Sequence, residues 1–161
     1  MSATNDRIDR ASLHMLTAMM WASRSTCRRL SVGCVITTSD LRRVLSIGYN
    51  GPAKGLSHRR CTGEPGRCGC LHAEDNAIAA VDSTIPNKAV FITAAPCETC
   101  SQRIIQAGVS RVMFAEAYRL QEGLEILRAC NVHVEQWSPV PALDSLIRSV
   151  GSLRSTSRPT E

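Results

Sequence analysis

His72, Glu74, Cys97 and Cys100 are the residues of this chain whose types and spacing could do chemistry together. Two thiolates and an imidazole are donors that a borderline-soft ion such as zinc prefers. Three protein ligands leave a fourth position open for water, as in catalytic rather than structural zinc sites. Cys97 and Cys100 stand at i and i+3, so one helical turn would bring both sulfurs to one side. Pro96 suits the start of such a helix, and the helix's positive end favours thiolates. His72 and Glu74 stand at i and i+2, which share no face inside a helix, so they can converge only at a helix end. There His72 could bind the ion while Glu74, unligated, moves protons beside the bound water.

Either half alone says little. A lone Cys-x-x-Cys serves equally as a redox pair or as half of a structural zinc site, and a lone His-x-Glu is close to noise. In this order, His-x-Glu followed by Pro-Cys-x-x-Cys is the signature of zinc-dependent base deaminases.

The elements that must position these residues are legible around them. Residues 6–24 read as an amphipathic helix with Ile8, Leu13, Leu16, Met19 and Met20 at helical spacing and Asn5 or Asp6 as its cap. Its methionines read as core filling. Two β-branched runs, 32–38 and 44–49, flank a polar connection and predict a hairpin, with Cys34 a small buried hydrophobe in the first. Residues 50–71 show no periodicity, and such a long irregular loop needs a function or a pin. His58, Cys61, Cys68 and Cys70 crowd into it.

Helices over 72–81, 97–107 and 120–130 then alternate with strands over 89–93, 111–115 and 132–135. That alternation argues for parallel pairing with right-handed crossovers. The fold class expected is α/β: three layers, α/β/α, around a mixed five-stranded sheet made of an antiparallel hairpin plus three parallel strands. Residues 1–138 would form the one domain. Residues 139–161 would be an extension, a short helix and then a disordered Ser/Arg/Thr tail.

Composition excludes several classes. With 161 residues, 43% apolar and 20% charged, the chain is long enough for a single real core. No apolar run reaches membrane-span length and the N-terminus lacks a signal-peptide core, so the expected location is a reducing cytoplasm with no membrane partner. There the eight cysteines read as ligands and buried thiols rather than disulfides. A net charge of +5 suits a phosphate-bearing ligand or a nucleic acid. With two Trp, two Tyr and two Phe, the chain is poor in stacking platforms, which argues against polymeric nucleic acid.

The chain resembles the cytidine/deoxycytidylate deaminase superfamily, and within it the dCMP deaminases of bacteria and bacteriophages. The resemblance runs from about Arg24 to Trp137. It is carried by Arg24-Ser25-Thr26-Cys27, Val32-Gly33, Gly48-Tyr49-Asn50-Gly51-Pro52, His72-Ala73-Glu74-Asp75-Asn76-Ala77-Ile78, Pro96-Cys97-Glu98-Thr99-Cys100 and Ala117-Tyr118-Arg119. It implies a cytidine-deaminase-like fold and hydrolysis of dCMP to dUMP and ammonia, feeding thymidylate synthesis in a bacterium or a phage-infected host. His72, Cys97 and Cys100 would hold the catalytic zinc, Glu74 would be the proton carrier, and Ala73 and Asn50 would meet the base and the sugar. Arg24, Ser25, Arg28, Tyr118 and Arg119 are the phosphate candidates. The resemblance also implies a second, structural zinc, for which the choice is Cys27, His58, Cys61 and Cys68 with Cys70 as the alternative. A homo-oligomer, a hexamer, with dCTP and dTTP as effectors is implied as well.

Rival readings are a deaminase of 5-modified dCMP or of a free nucleoside, a tRNA adenosine deaminase, and an inactive zinc-stabilised binding module. Scarce aromatics argue against RNA. An unligated carboxylate beside an open coordination position argues against the inactive module.

Overall fold

A computed structural model of the chain describes residues 7–117, 121–138 and 146. The first helix, α1 (Arg10–Ala22), begins later than its periodicity suggests. Asp9, not Asn5 or Asp6, is the cap, and its carboxylate accepts the Ser12 N–H at 2.9 Å. Strands β1 (Gly33–Thr37) and β2 (Val44–Tyr49) form the expected hairpin. They are followed by the irregular stretch, whose only regular piece among the described residues is a 3₁₀ turn at His58–Arg60. Then come α2 (Ala73–Ala79), β3 (Lys88–Ala94), α3 (Glu98–Gln106), β4 (Val109–Glu116), α4 (Glu122–Ala129) and β5 (His133–Gln136).

The five strands make one sheet in the order β2-β1-β3-β4-β5. The β1 strand runs antiparallel to both its neighbours, whereas β3, β4 and β5 are parallel. Alternating side chains of the central strands go to opposite faces. Val35, Phe91 and Met113 pack with Met15 and Ala18 of α1 and with Trp137. Cys34, Ile36, Val90, Ile92 and Val112 pack with Ala73 and Ala77 of α2, Ile104 of α3, and Leu124 and Leu127 of α4. The result is the three-layer arrangement expected, with one helix on one face and three on the other. No helix of the described residues is long and apolar enough to cross a membrane.

The apolar face of α1 differs from the stripe read in the sequence. Met15, Ala18 and Ala22 face the sheet, while Leu13 is 45% and Met20 65% exposed. Both sets recur at helical spacing, and the wider stripe spanned more of the helix than one sheet face can cover.

Two contacts set where α2 and α3 lie. Lys88, fully buried at the start of β3, donates to the Ala107 carbonyl at 2.7 Å and to that of Ile85, placing a cation at the C-terminal end of α3. On β2, Gly48 lies directly beneath α2: a β-carbon there would overlap the Ala73 carbonyl oxygen and lie 2.6 Å from the Ala77 nitrogen. Gly48→Ala should therefore lift the helix that carries Glu74. Denaturant unfolding should show a loss of about 1–3 kcal/mol, the usual cost of overpacking.

Candidate active site

His72 is the N-cap of α2 and Cys97 the N-cap of α3, both in extended backbone, with Pro96 just outside the cap, two residues before the first helical position. Glu74 and Cys100 fall in the respective first turns. The four side chains thus gather at two helix N-termini, where the dipoles favour negative charge. His72 Nδ1 lies 3.3 Å from Cys100 Sγ and 3.6 Å from Cys97 Sγ. Around a tetrahedral zinc, with Zn–S about 2.3 Å and Zn–N about 2.0 Å, sulfur and nitrogen stand about 3.5 Å apart. The donors already have that spacing, so the group fits a zinc ion.

Glu74 is buried, 4% exposed, and is not among the three donors. Burial pushes its carboxyl up to about 7 in the metal-free protein, with the Cys97 thiolate adding to the rise and His72 opposing it. Hydrogen bonding from Cys100 and then from His72 draws Cys97 down to about 4. The bond to Cys97 raises His72 to about 9, with Glu74 contributing further. Hydrogen bonding to Cys97, together with burial, drives the Cys100 thiol upward. Without metal the group is therefore a thiolate–imidazolium pair with a carboxylate poised near neutrality.

A second group lies close by. Cys27, Cys61, Cys68 and Cys70 have their sulfurs within 4.8 Å of one another, with Cys27 and Cys61 3.8 Å apart. That is the sulfur–sulfur spacing of a tetrahedral four-thiolate zinc site, about 3.8 Å. Cys70 takes the place expected of His58. The His58 ring sits in the 3₁₀ turn, capped by Ser57, and is exposed. Gly69, at φ 73°, supplies the left-handed step between Cys68 and Cys70. The Arg28 N–H, 3.3 Å from Cys61 Sγ, draws that thiol down to about 7.

One cavity of about 740 Å³ touches both groups, reaching Cys68 and Cys70 as well as His72, Glu74, Cys97 and Cys100. Ala73 and Asn50 also line it. Asn50 uses its amide on the chain, accepting from Val32 N–H at 2.8 Å and donating to Leu30 O at 2.6 Å. It keeps a second N–H and a second lone pair for a ligand.

The expected phosphate residues fare differently. Arg24 and Arg28 are exposed, and neither they nor Ser25 is part of the described wall of the cavity. Ser25 donates its hydroxyl to the Asn50 carbonyl at 3.0 Å. Tyr118 and Arg119 lie outside the described residues, as does the extension beyond residue 138 apart from Leu146. The cations on the wall are Arg29 and Arg103, which the sequence reading passed over. Arg29 could have been found there, since it follows the Arg24-Ser25-Thr26-Cys27 motif directly after Arg28.

The family model for the cytidine and deoxycytidylate deaminase zinc-binding region matches residues 7–116. The chain belongs to this deaminase family. Deoxycytidylate deaminase of Saccharomyces cerevisiae is 36% identical over 140 residues, covering 79% of this chain and 44% of its own length. ComE operon protein 2 of Bacillus subtilis is 35% identical over 145 residues, covering 81% and 72%. Against the first of these and its fission-yeast counterpart, the chain spans less than half of the relative, 44% in each case. The dCMP deaminase of cyanophage S-TIM5, solved in complex with dCMP and dUMP, superposes with a TM-score of 0.67 at 31% identity, covering 78% of this chain and 94% of the phage protein. In this deaminase fold the paired donor groups occupy the carboxyl end of β3, next to the strand where the sheet changes from parallel to antiparallel.

The raised carboxyl of Glu74 has a signed consequence. Between about pH 4.5 and 7 the native metal-free protein holds a proton that the unfolded chain has lost, so Glu74 lowers stability as pH rises through that window. Metal-free Glu74→Gln should therefore be more stable than metal-free wild type above pH 7, by up to about 3 kcal/mol. The difference should vanish toward pH 4.5 in urea unfolding.

Proposed function

We propose that this chain is a zinc-dependent deaminase of dCMP, releasing dUMP and ammonia. The observation that carries the reading is Glu74: a buried, unligated carboxylate poised near neutral pH beside a three-donor group that leaves one position open. The cavity is of nucleotide size, and Arg29 offers it a guanidinium suited to phosphate.

His72, Cys97 and Cys100 would hold the ion. Zinc, when bound, is a Lewis acid that brings the pKa of water near neutrality. Glu74 takes a proton from the attacking water and delivers it to N3 of the cytosine ring. It then carries a second proton to the departing amine, so that a C4–O bond replaces the C4–N bond. The Ala73 backbone and Asn50 hold the base and the sugar, and burial of Glu74 keeps its proton from bulk solvent. The four-sulfur group is read as a second, closed structural site, giving two zinc ions per chain. For the whole protein, a cytoplasmic homo-oligomer under dCTP and dTTP control is the matching expectation.

Ammonia release on dCMP, 5-methyl-dCMP, dCTP and deoxycytidine tests the substrate. The monophosphate should exceed the nucleoside by about 10²-fold in kcat/KM, since each charge-assisted phosphate contact contributes about 1.5–3 kcal/mol. Arg29→Ala should erode that ratio through dCMP alone. Equal turnover of deoxycytidine would assign the chain to nucleosides, and a preference for 5-methyl-dCMP would assign it to modified nucleotides. Glu74→Gln should keep its zinc and lose at least 10²–10⁴-fold in activity. Metal analysis should find two zinc ions per chain. Cys70→Ala should lose one of them together with thermal stability, while His58→Ala changes neither.

A further inference from the structure

Asp75 and Arg103 are absent from the three-donor group yet join its two halves. The donors come from helices far apart in the chain, His72 at the start of α2 and the two cysteines at the start of α3. Asp75 follows Glu74 directly, and Arg103 lies one turn beyond Cys100. The Asp75 carboxylate divides its oxygens between the halves. Oδ2 accepts the backbone N–H of His72 at 3.4 Å, and Oδ1 accepts from Nη1 of Arg103. The Asp75 side chain is 15% exposed and that of Arg103 53%, so a largely shielded carboxylate receives a guanidinium reaching in from the surface. Both residues line the cavity.

We propose that Asp75 and Arg103 are positioning residues that set the distance between His72 and the cysteine pair. The proposal rests on the zinc reading of that group. Beside this bond and the His72 ring's own contacts with Cys97 and Cys100, the two helices share an apolar cluster that includes Ala73, Ala77 and Ile104, whose packing has no directional preference. A charge-assisted guanidinium–carboxylate bond is directional. As a half-exposed ion pair it adds little to stability, so its effect lies in geometry. Groups that orient a metal ligand in this way typically govern affinity by 10–100-fold.

Chelator competition on the full chain tests this, with the four-sulfur group as internal reference and His72→Ala marking the three-donor site. Asp75→Asn and Arg103→Gln should each weaken one zinc ion per chain by about 10–100-fold. The double variant should be no weaker than the weaker single one. Arg103→Lys should restore most of the affinity, and the visible spectrum of the cobalt-substituted protein should shift in Arg103→Gln but not in Arg103→Lys. If both single variants hold zinc as wild type does while His72→Ala releases one ion, the pair positions nothing. Additive losses in the double variant would overturn the coupling. If His72→Ala releases no ion, the zinc reading itself fails and the proposal falls with it.

Discussion

Three donor atoms must stand about 3.5 Å apart for one tetrahedral ion to accept them all, and no single helix of this chain supplies the three. The His-x-Glu pair and the Cys-x-x-Cys pair each sit at the one place on a helix where such spacings converge, its N-terminus. Two contacts of the fold serve that requirement. Gly48 lets α2 descend onto β2, and Lys88 fastens the far end of α3 to the start of β3. The two helix starts then meet at the carboxyl end of β3. Gathering the donors also favours a charged form: hydrogen bonds from Cys100 and then from His72 outweigh burial and hold Cys97 as a thiolate inside a half-buried site.

Glu74 shows the opposite balance. Its carboxylate also lies in a first helical turn, but burial outweighs a backbone hydrogen bond and the nearby His72 and raises its pKa toward neutrality. On the proposed reading, residues two apart in sequence have opposite tasks: His72 joins the donor cluster as a ligand, and Glu74 is desolvated enough to exchange protons near pH 7. An aspartate at that position would be one methylene shorter and would reach less far into the cavity. The chemistry depends on depth of burial as much as on residue type.

Much of this is legible in the amino-acid sequence. Strand–helix alternation led to the sheet and its mixed pairing, because period and turn residues are local properties. The His-x-Glu and Cys-x-x-Cys spacings led to the donor group, because helix-end geometry is also local. Where placement depends on an irregular loop, residue type misleads. His58 and Cys70 are both competent ligands, and it is Cys70, just after the left-handed step at Gly69, whose sulfur joins the other three. The exposed side of α1 failed for a related reason: Leu13 and Met20 obey the helical period as well as Met15 and Ala18 do, and the sheet covers only one set. Arg29 and Arg28 are neighbours in sequence, yet just one of them lines the cavity, a distinction set by the turn after Cys27 and invisible to composition.

The loop over 50–71 ties these threads together. It leaves β2 at Gly51 and returns to the same residue, with reciprocal backbone bonds between Gly51 and Leu71 of 3.2 and 2.8 Å. Between those ends it buries no large apolar side chain, and Leu56 and Leu71 are 45% and 41% exposed. Hydrophobic burial cannot hold such a segment, so its order must come from elsewhere, and the four sulfurs are the concentrated source at hand. Pro65, Gly66, Cys68 and Cys70 of this loop form part of the cavity wall, and Cys70 stands two residues before His72. An ion held by the four sulfurs would thus shape the wall that a ligand meets and fix the approach of the chain to the first zinc ligand. On this reading the structural site is an extension of the catalytic one, and the irregular loop is what joins them.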